Sequence, residues 1–157
     1  MGTPEERLAD LGIALPDAIP AHGKHNPVVI DRGVAYLSAA VATEGDPPVL
    51  AWPGRLGAEV TLDEGRASAR GALLVLLANL RSVIGSLDGI ERFLRLNGQV
   101  ALVPGFDKAH HVVGAASDLL ADLFGDERVP SRSVVGVCEL PGRASVALDA
   151  IVRLNDL

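Results

Sequence analysis

The chain holds a single cysteine, Cys138, so no internal disulfide can form. That usage fits a reducing compartment such as the cytoplasm. Aromatic residues are almost as scarce: Tyr36, Trp52, Phe93, Phe106 and Phe124 make up 3% of the sequence. Any core must therefore be aliphatic. Basic residues are too few and too scattered to form a stripe, and the formal net charge is −6. A surface that tracks a phosphate backbone needs the opposite balance, so no nucleic-acid partner is expected. The longest apolar run, "GALLVLLANL", is too short and interrupted to span a bilayer. The opening "MGTPEERLADLG" lacks the basic-then-apolar layout of a signal peptide, which predicts a cytoplasmic protein without a membrane partner. What remains is ample for folding: 157 residues at 48% hydrophobic and 22% charged can bury one domain's core.

Start and stop signals divide residues 1–157 into one domain, with a helix and arm over 1–26. Thr3 and Glu6 around Pro4 match a capping box, and a short helix should run to Gly12. Pro16, Pro20, Gly23 and Pro27 break up the arm that follows. "VVID" and "VAYLSAAV" flank Arg32-Gly33 as an antiparallel pair. Residues 43–57, rich in turn formers, read as loop. Thr61 and Glu64 repeat the capping box, and Ala69, Leu73, Leu76, Leu77, Leu80 and Ile84 form one helical stripe ended by Gly85. "IERFLRLNGQVALV" fits either element, its alternating end favouring a strand. "DKAHHVVGAASDLLADLFG" predicts a second helix, with Val112, Ala116, Leu119, Leu120 and Leu123 on one face. The order predicts an α+β fold in which two helices cover one face of a mixed sheet. The other face is left to solvent or a partner.

The tail, "VPSRSVVGVCELPGRASVALDAIV", carries the candidate chemistry. Leu140-Pro141-Gly142-Arg143 matches a type II turn, which predicts a hairpin pairing Val137 with Val146 and Val134 with Asp149. In that register Val135, Val137, Val146, Leu148 and Ala150 face the core. Arg132, Val134, Gly136, Cys138, Ser145, Ala147, Asp149 and Ile151 share the other face, with Arg132 and Asp149 on a diagonal. Two readings of Arg132 are open. It ties the hairpin through an ion pair with Asp149, or its fork grips a carboxylate from a ligand.

"SRSVVGVCELPGRASVALDAI" resembles the C-terminal signature of the RidA (YjgF-like) family of reactive-intermediate deaminases. "VVGAASDLLADLFGD" resembles the second helix of a longer-armed branch, and the similarity spans about residues 25–157. The resemblance implies a chorismate-mutase-like fold, a homotrimer packed through its uncovered sheet faces, and sites in clefts between subunits. It implies that Arg132 and the adjoining Ser133 bind the carboxylate of a small metabolite, with backbone groups of Val134. Asp149 would position the water that hydrolyses an enamine or imine, such as that of 2-aminoacrylate, to a keto acid and ammonia. No metal or organic cofactor is implied.

Several positions depart from that signature. Asp149 stands where Glu is usual, Ser38-Ala39-Ala40 where Ser-Gly-Gln is usual, Val28 after Pro27 where an aromatic is common, and Gly114 where Asn is common. These losses keep a second function in view, a non-catalytic trimer that binds a small carboxylate or a protein. An endoribonuclease, a third activity attributed to the family, is opposed by the acidic charge. Cys138 reads as a packed small side chain. His22, His25, His110 and His111 lack acidic partners at ligand spacing, and adjacent helical histidines should diverge, so no metal site is expected. Glu59, Asp63 and Glu64 read as acids complementing a helix start.

Overall fold

The computed structural model describes residues 2–155; Met1 and 156–157, the ends of the 1–157 domain assignment, lie outside the described residues. Helix α2 (Leu62–Ile84) starts where Thr61 Oγ1 accepts the Glu64 N–H at 3.2 Å and Glu64 Oε2 accepts the Thr61 N–H at 2.8 Å. This exchange satisfies two donors that a helix start leaves free. Thr3 and Glu6 make the same exchange ahead of α1 (Pro4–Asp10). Helix α3 (Ala109–Phe124) has no side-chain cap and depends on packing. Its predicted stripe, Val112, Ala116, Leu119, Leu120 and Leu123, is buried, as is the α2 stripe from Ala69 to Leu80. By length and composition α2 could cross a membrane, but 56% of that stretch is buried inside the protein, where the sheet covers it.

The strands are β1 (Val28–Asp31), β2 (Val34–Ala40), β3 (Thr43–Glu44), β4 (Val49–Leu50), β5 (Ile90–Ala101), β6 (Ser131–Val137) and β7 (Val146–Leu154). Five form one sheet in the order β1-β2-β7-β5-β6. β5 and β6 run parallel and every other neighbouring pair in it is antiparallel. α2 and α3 pack together on one face, as the pattern predicts, while α1 lies against α3. The segment expected to be loop over 43–57 contains a small sheet of its own, β3 with β4. Among the largest fully buried side chains Phe93 alone is aromatic; the rest are Leu and Ile, as composition requires. Phe93 meets the Phe124 ring at 5.4 Å, tilted by 57°.

The predicted tail hairpin does not form. Its turn does: Gly142 adopts φ 66° and ψ 15°, and the Arg143 N–H donates to Leu140 O at 3.2 Å. Yet β5 lies between the two strands, parallel to β6 and antiparallel to β7. A two-residue turn can join ladder partners, but here eight residues separate the strands and both found a better partner in β5. β5, α3 and β6 form a βαβ unit, the connection that parallel strands require.

The side-chain directions on β6 are consequently reversed from those expected. Arg132 and Val134 lie in register with Leu96 and Gly98, toward the helices. Val134 packs against the core, while Val135 is 51% exposed on the open face. On β7 the expectation holds for Val146, Leu148 and Ala150, which are buried. Ser145 is an exception, since its hydroxyl lies 2.9 Å from that of Ser68 on α2.

One glycine, Gly98, lets α3 sit this close. A Cβ on Gly98 would lie 2.6 Å from Val113 Cγ2 and 3.3 Å from Leu148 Cδ2. Gly114, where a Cβ would come 3.4 Å from Arg66 Nη1, lies under the guanidinium that ties α2 to α3. Arg66 donates to the His111 carbonyl and pairs with Asp118 at 3.1 Å. We expect Gly98→Ala to destabilise the fold by about 2 kcal/mol through overpacking, lowering Tm by about 4–8 °C. Thermal unfolding by circular dichroism measures this; an unchanged Tm would show that α3 moves aside freely.

Candidate functional site

Arg132 sits on β6, at the edge of the sheet, and leans toward α3. Its Nη1 donates to Ser117 Oγ at 2.9 Å. Among the described residues it makes no ion pair, and the side chain is exposed. A neutral hydroxyl leaves the charge uncompensated and most of the planar fork directed at solvent, where a carboxylate could be gripped through two parallel bonds. β6 is an edge strand, so one row of its backbone N–H and C=O groups, beside Arg132 and Val134, has no strand next to it. These backbone groups survive any change of side chain.

Asp149 is elsewhere. It pairs with Asn97 across the β5–β7 ladder and points to the open face, away from the helices. The diagonal Arg132–Asp149 contact is therefore absent: β5 lies between their strands and the two side chains leave the sheet in opposite directions. The ion-pair reading of Arg132 falls with it.

What surrounds Asp149 is a polar network missed in the sequence reading. Asn97 Nδ2 donates to Asp149 Oδ1 at 2.8 Å, and Gln99 Nε2 approaches Oδ2 at 3.4 Å. Arg95 Nε donates to Asn97 Oδ1 at 3.0 Å, and its Nη2 donates to Ser133 Oγ. Ser133 thus belongs with Asp149 on the open face, not with Arg132. The signal was present in "RLNGQVA", where Arg95, Asn97 and Gln99 alternate with residues that face the helices. Because "IERFLRLNGQVALV" fits either helix or strand, that alternation alone assigns no face. Beyond β7, the ladder to β2 shifts register between Leu37 and Ala40, so Ser38 and Ala39 bulge opposite Asp149. Bulges of this kind bend a strand and redirect side chains beside a site.

Other candidates resolve differently. Cys138 is exposed beyond the end of β6 rather than packed. The His110 and His111 rings do not diverge; their centroids lie 4.2 Å apart. Among the described residues no three His, Cys, Asp or Glu side chains converge on a possible metal position. Asp63 and Glu64 occupy the first turn of α2 as expected, but Glu59 folds into the preceding loop. Its carboxyl lies below the usual carboxylate range. The main cause is the Arg55 N–H, which donates to it at 3.0 Å, followed by its own N–H; the Arg55 and Arg143 guanidinium groups add to the effect.

Known proteins place this geometry. A family model described as "YjgF/chorismate_mutase-like, putative endoribonuclease" matches residues 5–151. Protein TCP17 of Trypanosoma cruzi is 39% identical over 104 residues, 66% of this chain. The match spans 65% of that protein's own length. The structure of Atu1372 from Agrobacterium tumefaciens, a protein of unknown function, superposes with a TM-score of 0.88 at 33% identity, over 97% of this chain and 92% of that one. A Shewanella oneidensis protein bearing the same endoribonuclease description gives a TM-score of 0.92 at 29% identity, over 98% and 100% of the two chains. With its mixed sheet, its two helices on one face and its RidA-like tail, the chain belongs to the YjgF/chorismate mutase-like family.

Proposed function

We propose that the protein hydrolyses reactive enamine or imine intermediates carrying a carboxylate, such as 2-aminoacrylate, at sites shared between the subunits of a homotrimer. The observation that carries this reading is Arg132: an exposed, uncompensated guanidinium beside an open backbone edge, on a member of this family. An enamine is the tautomer of an imine. The oxygen of water forms a bond to the imine carbon, a proton passes to nitrogen, and the C–N bond breaks to leave a 2-oxo acid and ammonia. Asp149, oriented by Asn97 and Gln99, is the group suited to accept the water proton. No metal or organic cofactor enters this balance.

Arg132 and Asp149 cannot meet one small substrate within a single chain, because they leave the sheet on opposite faces. A shared site needs Arg132 from one copy and Asp149 from another. The open sheet face, which carries Tyr36 and Val135 beside the polar network, supplies a surface for such packing. An endoribonuclease reading is weaker: a net charge of −6 and few aromatics suit neither the phosphates nor the bases of RNA.

Light scattering at micromolar concentration is expected to give about three times the chain mass of 16.3 kDa. A purely monomeric species would remove the shared site. Arg132→Lys is expected to lose most binding of small carboxylates by calorimetry although it keeps the charge, because an ammonium has no planar fork. Binding to Arg132→Ala equal to that of the parent would end the anchor role.

Asp149→Asn separates an enzyme from a non-catalytic carboxylate binder of the same fold. With 2-aminoacrylate generated in a coupled assay, the variant should bind normally and turn over about two to four powers of ten more slowly. Equal rates would exclude Asp149 as base, and no acceleration by the parent protein would favour the binder. A faster Asp149→Glu variant would show that the parent side chain is one methylene short.

A further inference from the structure

Ser117 stands in the middle of α3, where serine is a weaker helix former than alanine. A common use of such a hydroxyl is a bond back to a carbonyl of the preceding turn, as Ser82 Oγ donates to Asn79 O at 2.7 Å. Ser117 makes no such bond among the described residues; it accepts from Arg132 Nη1 at 2.9 Å instead. The packing explains how the two meet. Val113 of α3 presses on β5 at Gly98, where a Cβ would lie 2.6 Å from Val113 Cγ2, and Gly98 is in register with Val134 on β6. Ser117 follows Val113 by four residues, on the same side of the helix and one turn, about 5.4 Å, farther along. The helix of a βαβ unit runs against its strands, so that step leads back along β6. Two strand residues, about 6.6 Å, separate Val134 from Arg132 on one face. The two steps match, which brings the hydroxyl to the guanidinium. Buried Ala116 and Leu120 fix the rotation of α3 about its axis, and the Arg66–Asp118 pair holds the next position from α2.

The contact orients the fork. A guanidinium presents its N–H groups in one plane. With Nη1 tied to Ser117, the edge formed by Nε and Nη2 carries no bond among the described residues. Those two donors point the same way and match the two oxygens of a carboxylate. An exposed arginine without such a tie samples many rotamers, and a ligand must freeze them on binding. The geometry points to Ser117 as a positioning residue, which holds Arg132 in advance with its Nε–Nη2 edge turned to the substrate carboxylate. This rests on the anchor role proposed above for Arg132; Ser117 acts through that side chain without touching the ligand.

The test compares the full-length parent with Ser117→Ala and Ser117→Thr, by NMR of the Arg132 Nε–H and by titration with pyruvate. Alanine suits a helix interior, so Ser117→Ala should fold with Tm no lower than the parent's. In the unliganded protein the heteronuclear NOE of Arg132 Nε, a measure of side-chain order, should fall in Ser117→Ala. It should recover in Ser117→Thr, which keeps the hydroxyl. Pyruvate should bind Ser117→Ala about two- to tenfold more weakly, the cost of ordering one long side chain, and Ser117→Thr like the parent. Unchanged affinity in Ser117→Ala, with or without a change in the NOE, overturns the inference and leaves the anchor role of Arg132 standing. Weaker binding with an unchanged NOE also overturns it, because Ser117 would then be donating to the ligand itself. Failure of the parent to bind pyruvate overturns the anchor role and this inference together.

Discussion

Strand β5 is bonded along both edges, and this double ladder determines where every residue of the candidate site points. On one side it runs antiparallel to β7, on the other parallel to β6. Side chains directly across a ladder share a face, so β5 imposes its own alternation on both neighbours. Leu96 and Gly98 face the helices, which turns Arg132, Val134 and Leu148 the same way. Asn97 faces outward, which places Ser133 and Asp149 with it. If β6 and β7 had paired directly, Arg132 and Asp149 would have shared a face and neutralised each other. The inserted strand keeps the guanidinium free of its nearest sequence-level partner.

The same strand sets how closely the helix layer approaches. Val113 of α3 reaches the backbone of Gly98, and Leu148 closes in from β7. α3 also links β5 to β6, so the close contact and the parallel pairing belong to one βαβ unit. Arg66 then ties α3 to α2 across Gly114. In an almost wholly aliphatic core packed to crystal-like density, the close approach at Gly98 leaves no room for a larger side chain.

Much of this was legible from residues alone, for identifiable reasons. The helix boundaries followed from Thr3, Glu6, Thr61 and Glu64, because capping is local chemistry among neighbours. Both buried stripes followed from period, because one face of each helix meets the sheet. The alternation of β7 was also local, and Val146, Leu148 and Ala150 are buried as it implied. Strand partnership was not local. Leu140-Pro141-Gly142-Arg143 specified its turn correctly, but a turn says nothing about what each strand finds beyond it. The inversion of Arg132 and Val134 descends from that one inference, whereas Ser133 and Arg132, adjacent on one strand, leave it on opposite faces in either topology. A reading of β5, α3 and β6 as strand, helix and parallel strand would have prevented it.

Separation of the faces also orders the chemistry. On the helix face, apolar burial holds the chain together, and Arg132 emerges only because β6 is an edge where that layer ends. On the open face, Arg95, Ser133, Asn97, Gln99 and Asp149 are joined by hydrogen bonds into one row across three strands. The row is linked, so the carboxylate of Asp149 is oriented by Asn97, and Asn97 in turn by Arg95. The bulge at Ser38 and Ala39 on β2 lies beside Asp149, the β7 end of this row. Asp149 and the bulge are thus on adjacent strands, while Arg132 is at the opposite edge of the sheet. A single copy therefore holds Asp149 and Arg132 apart, on different strands and on opposite faces of the sheet. A small ligand that met both groups would have to draw them from two copies of the chain, because one copy directs them to opposite sides of its sheet.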